Sequence, residues 1–118
     1  MRSEPGNSPV PPAAVLILLA VSEVMDEGGE ALAAQAGAAR ATSVSLTYID
    51  VEVPADCPLV PGPDGPLPLS PTVVDEYGNP AGSILVWISD GRISMLEQAW
   101  YTDAPPTHWP PLDRVRFL

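Results

Sequence analysis

Three side chains in this sequence could take part in catalysis: a glutamate on an apolar strand, a single histidine and a single cysteine. If Asp90 and Gly91 form a two-residue turn, Glu97 lies opposite Ile84 on a face that is otherwise apolar. A carboxylate on such a face needs a partner, and it could serve as a general acid or base. The alternatives are an ion pair with Arg92, Arg114 or Arg116, or exposure at the end of the sheet. We expect the ion pair, because structural pairs produce the same pattern.

The remaining candidates for chemistry are weak. His108 lies in a proline-rich stretch, and neither it nor Cys57 adjoins a helix N-terminus or a glycine-rich turn that could activate a nucleophile. One histidine and one cysteine cannot form a zinc site without several carboxylates, and no calcium-loop motif is present. The chain has no lysine and no glycine-rich phosphate loop. We therefore expect no catalytic pair, no metal and no cofactor.

Aromatic residues form the other candidate surface, because tryptophan and tyrosine dominate binding hot spots. Together with Glu97, the predicted partner-binding residues are Trp87, Trp100, Tyr101, Asp103 and Trp109. Two arrangements are open at this point. Residues 104–111 could fold back as a lid that buries Trp87 beneath Trp109, which is the expected arrangement, or they could leave an acidic, aromatic-rimmed groove.

The charge balance restricts the partner. Fifteen acidic residues against five basic ones give a formal net charge of −10, with a pI of about 4.1. Nucleic acids and anionic membrane surfaces are therefore improbable partners. The charge favours a basic partner, or it serves only to keep the domain in solution.

The hydrophobic pattern predicts two helices followed by a sheet. Residues 13–25 and 30–39 are predicted helices, separated by Gly28-Gly29, and they should form an αα-hairpin. Within a predicted strand over 44–53, the apolar residues change from one face to the other at Tyr48-Ile49, which predicts a bulge there.

The second half of the chain predicts a central hairpin. Residues 54–71 contain seven prolines and should run as a long loop or along a sheet edge. Asp90-Gly91 between two apolar runs is the signal of a type I′ turn. A strand at 72–74, a turn at 77–80 and a short edge strand at 115–118 complete the prediction. The fold class is α+β: two N-terminal helices packed on a mainly antiparallel sheet of four or five strands around the Asp90-Gly91 hairpin.

The run Asp90-Gly91-Arg92-Ile93-Ser94-Met95-Leu96-Glu97 fits the pattern D-G-x-[IL]-S-x-L-E, and an aromatic pair, Trp100-Tyr101, follows it. This pattern, with a Leu-rich helix and a second helix over 16–35, resembles a family of small uncharacterised bacterial proteins. The resemblance covers most of residues 13–118 and implies an α+β domain, but no activity. The proline-rich residues 54–71 depart from it.

Length and cysteine content bound the organisation of the chain. The 118 residues suffice for one domain, predicted over 13–118, after a flexible arm over 1–12. The apolar run 13–21 could be a buried helix or a signal-peptide core, in which case residues 1–22 would be removed on secretion. We expect a buried helix, because Arg2 is offset by Glu4, two prolines directly precede the run, and Ala20-Val21-Ser22 is a poor cleavage site. We expect a cytoplasmic location, because Cys57 is the only cysteine and cannot form an internal disulfide.

Two functional hypotheses follow. The first is a non-catalytic, immunity-like or regulatory interaction module that binds a basic partner. The second is a small-molecule-binding protein or minimal enzyme that uses Glu97 in a half-buried pocket. The sequence does not determine the oligomeric state.

Overall fold

A computed structural model describes residues 8–117, which form an α+β fold with two helices and an eight-stranded antiparallel sheet. The helices are α1 (Pro12–Val24) and α2 (Gly29–Ala38). The strands are β1 (Ser8–Pro9), β2 (Arg40–Val44), β3 (Tyr48–Glu52), β4 (Gly65–Pro66), β5 (Thr72–Val74), β6 (Pro80–Ser89), β7 (Arg92–Trp100) and β8 (Val115–Arg116). Their order is β1-β2-β3-β7-β6-β5-β8, and β4 also pairs with β6.

The hairpin of β6 and β7 lies at the centre of the sheet, as predicted. Asp90 and Gly91 both have positive φ, 50° and 77°, which is the backbone conformation of a type I′ turn. Ser89 pairs with Arg92 and Ile88 with Ile93, but the register then shifts by one residue at Ser94. This bulge decides which side chains of β7 face each side of the sheet.

The sheet is larger than the predicted four or five strands. The unpredicted strands β1 and β4 are two residues long, which is too short to produce a hydrophobic period. The predicted strand 44–53 spans the end of β2, a tight turn and β3. The apolar pattern changes faces at Tyr48 because of this turn, and the predicted bulge at Tyr48-Ile49 is wrong. Ser45 stabilises this turn, since its hydroxyl accepts hydrogen bonds from the backbone N–H groups of Thr47 and Tyr48, at 3.3 and 3.0 Å.

The helices cover one face of the sheet, which we call the inner face. Pro12 starts α1, where a missing N–H is harmless, and Gly28 separates the helices with a φ of 84°. One hydrophobic cluster joins the two helices to the sheet. Its large, fully buried side chains include Ile17, Leu18, Val21, Leu32, Ile49, Ile84, Val86 and Leu96.

The proline-rich segment also packs on the inner face. Val60 is buried within the core, and Leu67 and Leu69 pack against it. The side-chain amide of Gln35, on α2, is fully buried and donates to the carbonyl oxygens of Pro58 and Gly91, both at 2.8 Å. Its Oε1 accepts from the backbone N–H of Ile93 at 2.9 Å.

The two chain ends meet the sheet near its edges. Residues 1–7 of the predicted flexible arm lie outside the described residues, whereas Ser8 and Pro9 pair with β2 and Val10 is buried. Near the C-terminus, β8 pairs with β5, as expected of a short edge strand. No helix within residues 8–117 is both long and apolar enough to cross a membrane.

Candidate functional site

Glu97 faces away from the helices, so the prediction that it lies on the apolar inner face is wrong. Because of the bulge at Ser94, Leu85 and not Ile84 pairs with Glu97, while Ile84 pairs with Gln98. Side chains alternate along a strand, so a one-residue shift exchanges the two faces. The amide of Gln98 is therefore buried, and Glu97 is half-buried on the opposite face.

We call the face opposite the helices the outer face. Its centre is formed by residues from three adjacent strands: Tyr48 and Asp50 of β3, Met95 and Glu97 of β7, and Leu85 and Trp87 of β6. No helix among the described residues packs over it. The outer face thus presents aromatic and aliphatic side chains around one half-buried carboxylate.

Glu97 is held by an indole and not by an arginine. Trp87 Nε1 donates a hydrogen bond to Glu97 Oε1 at 3.0 Å across the two central strands. Arg92 donates instead to the carbonyl oxygen of Ala55, and Arg116 to backbone carbonyls close to it in sequence. Among the described residues, no ion pair joins Glu97 to Arg92, Arg114 or Arg116, so the predicted ion pair is wrong.

An open depression of about 520 Å³ adjoins Glu97 at the point where β3 begins. It is lined by Thr47, Tyr48, Met95, Glu97, Gln98, Ala99 and Trp100. Exposed apolar side chains occur on both sides of this end of the sheet. Tyr48, Leu46 and Tyr101 are 41%, 49% and 61% exposed, and Val44 and Trp100, on the inner-face side, are 50% and 43% exposed. Exposed apolar patches of this kind mark interaction surfaces more often than scattered single residues do.

The predicted partner-binding residues divide into three groups. Glu97 and Trp87 bond to each other on the outer face beside the depression. Trp100 also borders the depression, but it is two residues after the inward-facing Gln98 and so lies on the inner-face side of β7. Tyr101 and Asp103 are exposed beyond the end of β7, where the N–H of Tyr101 donates to the carbonyl of Ala81.

Trp109 forms the third group, because it packs against the helix-covered core. Its Nε1 donates to the carbonyl of Ser45 at 2.8 Å, and Gln98 Nε2 donates to the carbonyl of the adjacent His108 at 3.3 Å. The segment 104–111 therefore lies over an end of the inner face. The predicted lid that buries Trp87 beneath Trp109 is wrong, and the outer face is left open by this segment.

Sequence reasoning missed Tyr48 and Met95 as lining residues. Both were recognised as strand residues, but the turn at Ser45 and the bulge at Ser94 decide that they share a face with Glu97. Ser-x-Thr at 45–47 is a signal that could have located the turn, because serine often bonds to backbone N–H groups two or three residues later.

Histidine and cysteine do not join this site. The ring of His108 is exposed and its Nδ1 lies 3.0 Å from the hydroxyl of Thr107, whereas Cys57 is half-buried in the proline-rich segment. Within residues 8–117, no group of three or more histidine, cysteine, aspartate or glutamate side chains is placed to hold a metal ion.

The side chains around the depression are of the types that bind a cation. Glu97 Oε1 already accepts a hydrogen bond from the indole N–H of Trp87, and Oε2 accepts none from the described residues. The ring of Tyr48, which lies on the outer face opposite Glu97, presents a face that attracts a cation. Asp50, next to Met95 on the same face, adds a second negative charge.

Comparisons with known protein families, with curated proteins and with solved structures found no match for this chain.

Proposed function

We propose that this protein is a small acidic interaction module that binds a basic segment of a partner protein on its outer face. The observation that carries the proposal is the open depression beside Glu97, in which a carboxylate with an unused oxygen is surrounded by aromatic and apolar side chains. The formal net charge of −10 would attract a basic partner over a longer range.

The proposed contact is a lysine or arginine side chain that enters the depression. Its cationic group would pair with Glu97 Oε2, while its aliphatic stem would lie against Met95 and the ring of Tyr48. Apolar neighbours of the partner's basic residue would cover the exposed side chains of the sheet end, which include Leu46 and Tyr101.

A titration with a tetra-arginine peptide, followed by ¹H–¹⁵N correlation spectra, tests the proposal. Two indole N–H signals are useful probes, because Trp87 bonds to Glu97 beside the depression, whereas Trp109 lies on the opposite side of the sheet. We expect the signal of Trp87 to shift, that of Trp109 to stay unchanged, and the shift to shrink at high salt.

A matched pair of charge variants completes the test. Glu97→Gln should weaken binding roughly three- to tenfold, as the loss of one partly buried charge pair does. Glu30→Gln removes an equal charge from the exposed surface of α2 and should have little effect. Equal effects of the two variants would show that only net charge matters and would contradict a site at Glu97.

A second candidate function is small-molecule binding in the same depression. Its volume of about 520 Å³ falls within the range of ligand pockets, which supports this alternative. In that case Glu97 would anchor a polar group of the ligand, or act as a general base in a minimal enzyme. Salt separates the two hypotheses, because the affinity of a basic protein segment falls with ionic strength, whereas binding of an uncharged ligand does not.

We further propose an immunity-like or regulatory role, in which the module blocks or holds a basic surface of its partner. A cytoplasmic location is part of this proposal, because Cys57 is the only cysteine of the chain. The intact mass of the protein isolated from its host tests the location. Loss of residues 1–22 would indicate secretion and would contradict it.

A further inference from the structure

A second concave surface lies on the other side of the sheet, between the end of α1 and the proline-rich segment. We call it the proline groove. Its volume is about 430 Å³, and its apolar lining includes Val24, Met25, Leu67, Leu69 and Ile88, with prolines along one wall. Ile88 belongs to the inner face, so the proline groove is separate from the depression beside Glu97.

The wall of the proline groove is fixed by hydrogen bonds to the hairpin. The N–H of Val60 donates to the carbonyl of Gly91 at 2.8 Å, and the N–H of Leu67 donates to the carbonyl of Val86 at 2.8 Å. Asp64 Oδ1 accepts from the N–H of Asp90 at 2.9 Å. Since proline also restricts its own backbone, the proline groove is preformed, and a ligand would lose little binding free energy in ordering it.

The mouth of the proline groove is negative. Asp26 and Glu27 are both exposed and both line it, directly after the C-terminal end of α1. A helix carries a partial negative charge at its C-terminus, and the last turn of α1 contains no basic residue to offset it. Among residues 8–117, no lysine, arginine or histidine lines the proline groove.

We propose that the proline groove binds a small amphiphilic cation, which means a ligand with an apolar body and one amine or guanidinium group. The apolar body would lie between Leu67, Leu69 and Met25, and the cation would lie at the mouth beside Asp26 and Glu27. This site is independent of the function proposed for the outer face.

Titration of the full chain with octylammonium, followed by ¹H–¹⁵N correlation spectra, tests this site. We expect saturable shifts at Leu67, Leu69 and Ile88 and none at the indole of Trp87. Octanol should shift the same signals with lower affinity, because it has the same chain without the charge. Octyl sulfate should not bind, because its anionic group would meet the two carboxylates.

Two double variants separate the local charge from the net charge. D26N/E27Q should weaken octylammonium binding roughly five- to tenfold and leave octanol binding unchanged. E23Q/E30Q removes two exposed charges of the helices that do not line the proline groove, so it should leave both affinities unchanged.

Three results would overturn the proposal. The first is no saturable octylammonium binding, and the second is equal weakening by the two double variants. The third is a shift of the groove signals with protein concentration alone, which would assign this surface to contact between copies of the chain.

Discussion

Replacing Gln35 by methionine should cost this domain about 2 to 5 kcal/mol of unfolding free energy. Gln35 is fully buried, and its amide bonds to the backbone at Gly91 and Ile93, near the turn of the central hairpin. Strand β3 pairs with β7 only as far as Met95, so none of the described strands pairs with this edge of β7 next to the turn. The amide of Gln35 takes the place of a peptide group of that missing strand.

The magnitude follows from the groups that would lose a partner. Methionine has a similar volume, so the packing cost is small. The N–H of Ile93 would stay buried without its acceptor, which costs about 1 to 3 kcal/mol. Loss of the bond to Pro58 costs about 0.5 to 1.5 kcal/mol. Loss of the bond to Gly91 costs only about 0.5 kcal/mol, because the Gly91 carbonyl keeps its hydrogen bond from the N–H of Val60. The total is a large part of the roughly 5 to 15 kcal/mol typical of a domain.

Urea unfolding followed by tryptophan fluorescence measures this change, with the slope m checked for two-state behaviour. Gln98→Met is the matched control, because it removes a second buried amide that makes one bond of 2.8 Å and one of 3.3 Å. It should cost about 1 to 2 kcal/mol. A loss below about 1 kcal/mol for Gln35→Met, or a larger loss for the control, would refute the reasoning.

Three further predictions concern other parts of the fold. Gly82→Ala should lower the free energy of unfolding, measured in urea, by about 1 to 3 kcal/mol, because a Cβ there would clash with the carbonyl oxygen of Ala99. Gly37→Ala should raise it by about 0.5 to 1 kcal/mol, because Gly37 lies in α2 with open space around it. Glu97→Gln should change the unfolding free energy by less than about 1 kcal/mol, because the amide oxygen can still accept the indole proton; a larger loss would indicate a buried charge pair. Trp109→Phe should speed hydrogen exchange in residues 102–111, because it removes their indole bond to the β2–β3 turn, and unchanged exchange would contradict that role.

The helices and the central hairpin could be predicted because local signals specify them. Pro12 and the Gly28-Gly29 pair mark the helix ends, and Asp90-Gly91 requires a turn with two positive φ angles. These signals depend on residues close together in sequence, so no knowledge of the tertiary structure is needed to interpret them.

The register of β7 could not be predicted in the same way. Apolar residues lie on both faces of the hairpin, so the hydrophobic pattern does not distinguish a regular ladder from one with a bulge at Ser94. The bulge places Gln98 inside, where Leu46 and the C-terminal segment supply carbonyl acceptors that are distant in sequence. Glu97 moves outside for the same reason.

Residue types therefore indicate candidate residues for the site, but they do not predict on which face of the sheet each residue lies. The residue types single out Glu97 and Trp87, which bond to each other on the outer face, and Trp100, which lies on the inner-face side, but the sequence pattern puts Trp109 on the wrong side of the sheet. Its position depends on the bond to Ser45, whose turn the sequence pattern had shown only as a change of phase.

Capture of partners from a lysate of the native host tests the central claim most directly when wild-type protein is compared with the outer-face variant Glu97→Gln/Tyr48→Ala. The account predicts that the wild type retains one basic protein in stoichiometric amount at low salt and releases it at high salt, and that the variant retains little of it. Retention of the same protein by both forms, or only salt-insensitive retention, would contradict a basic partner on the outer face.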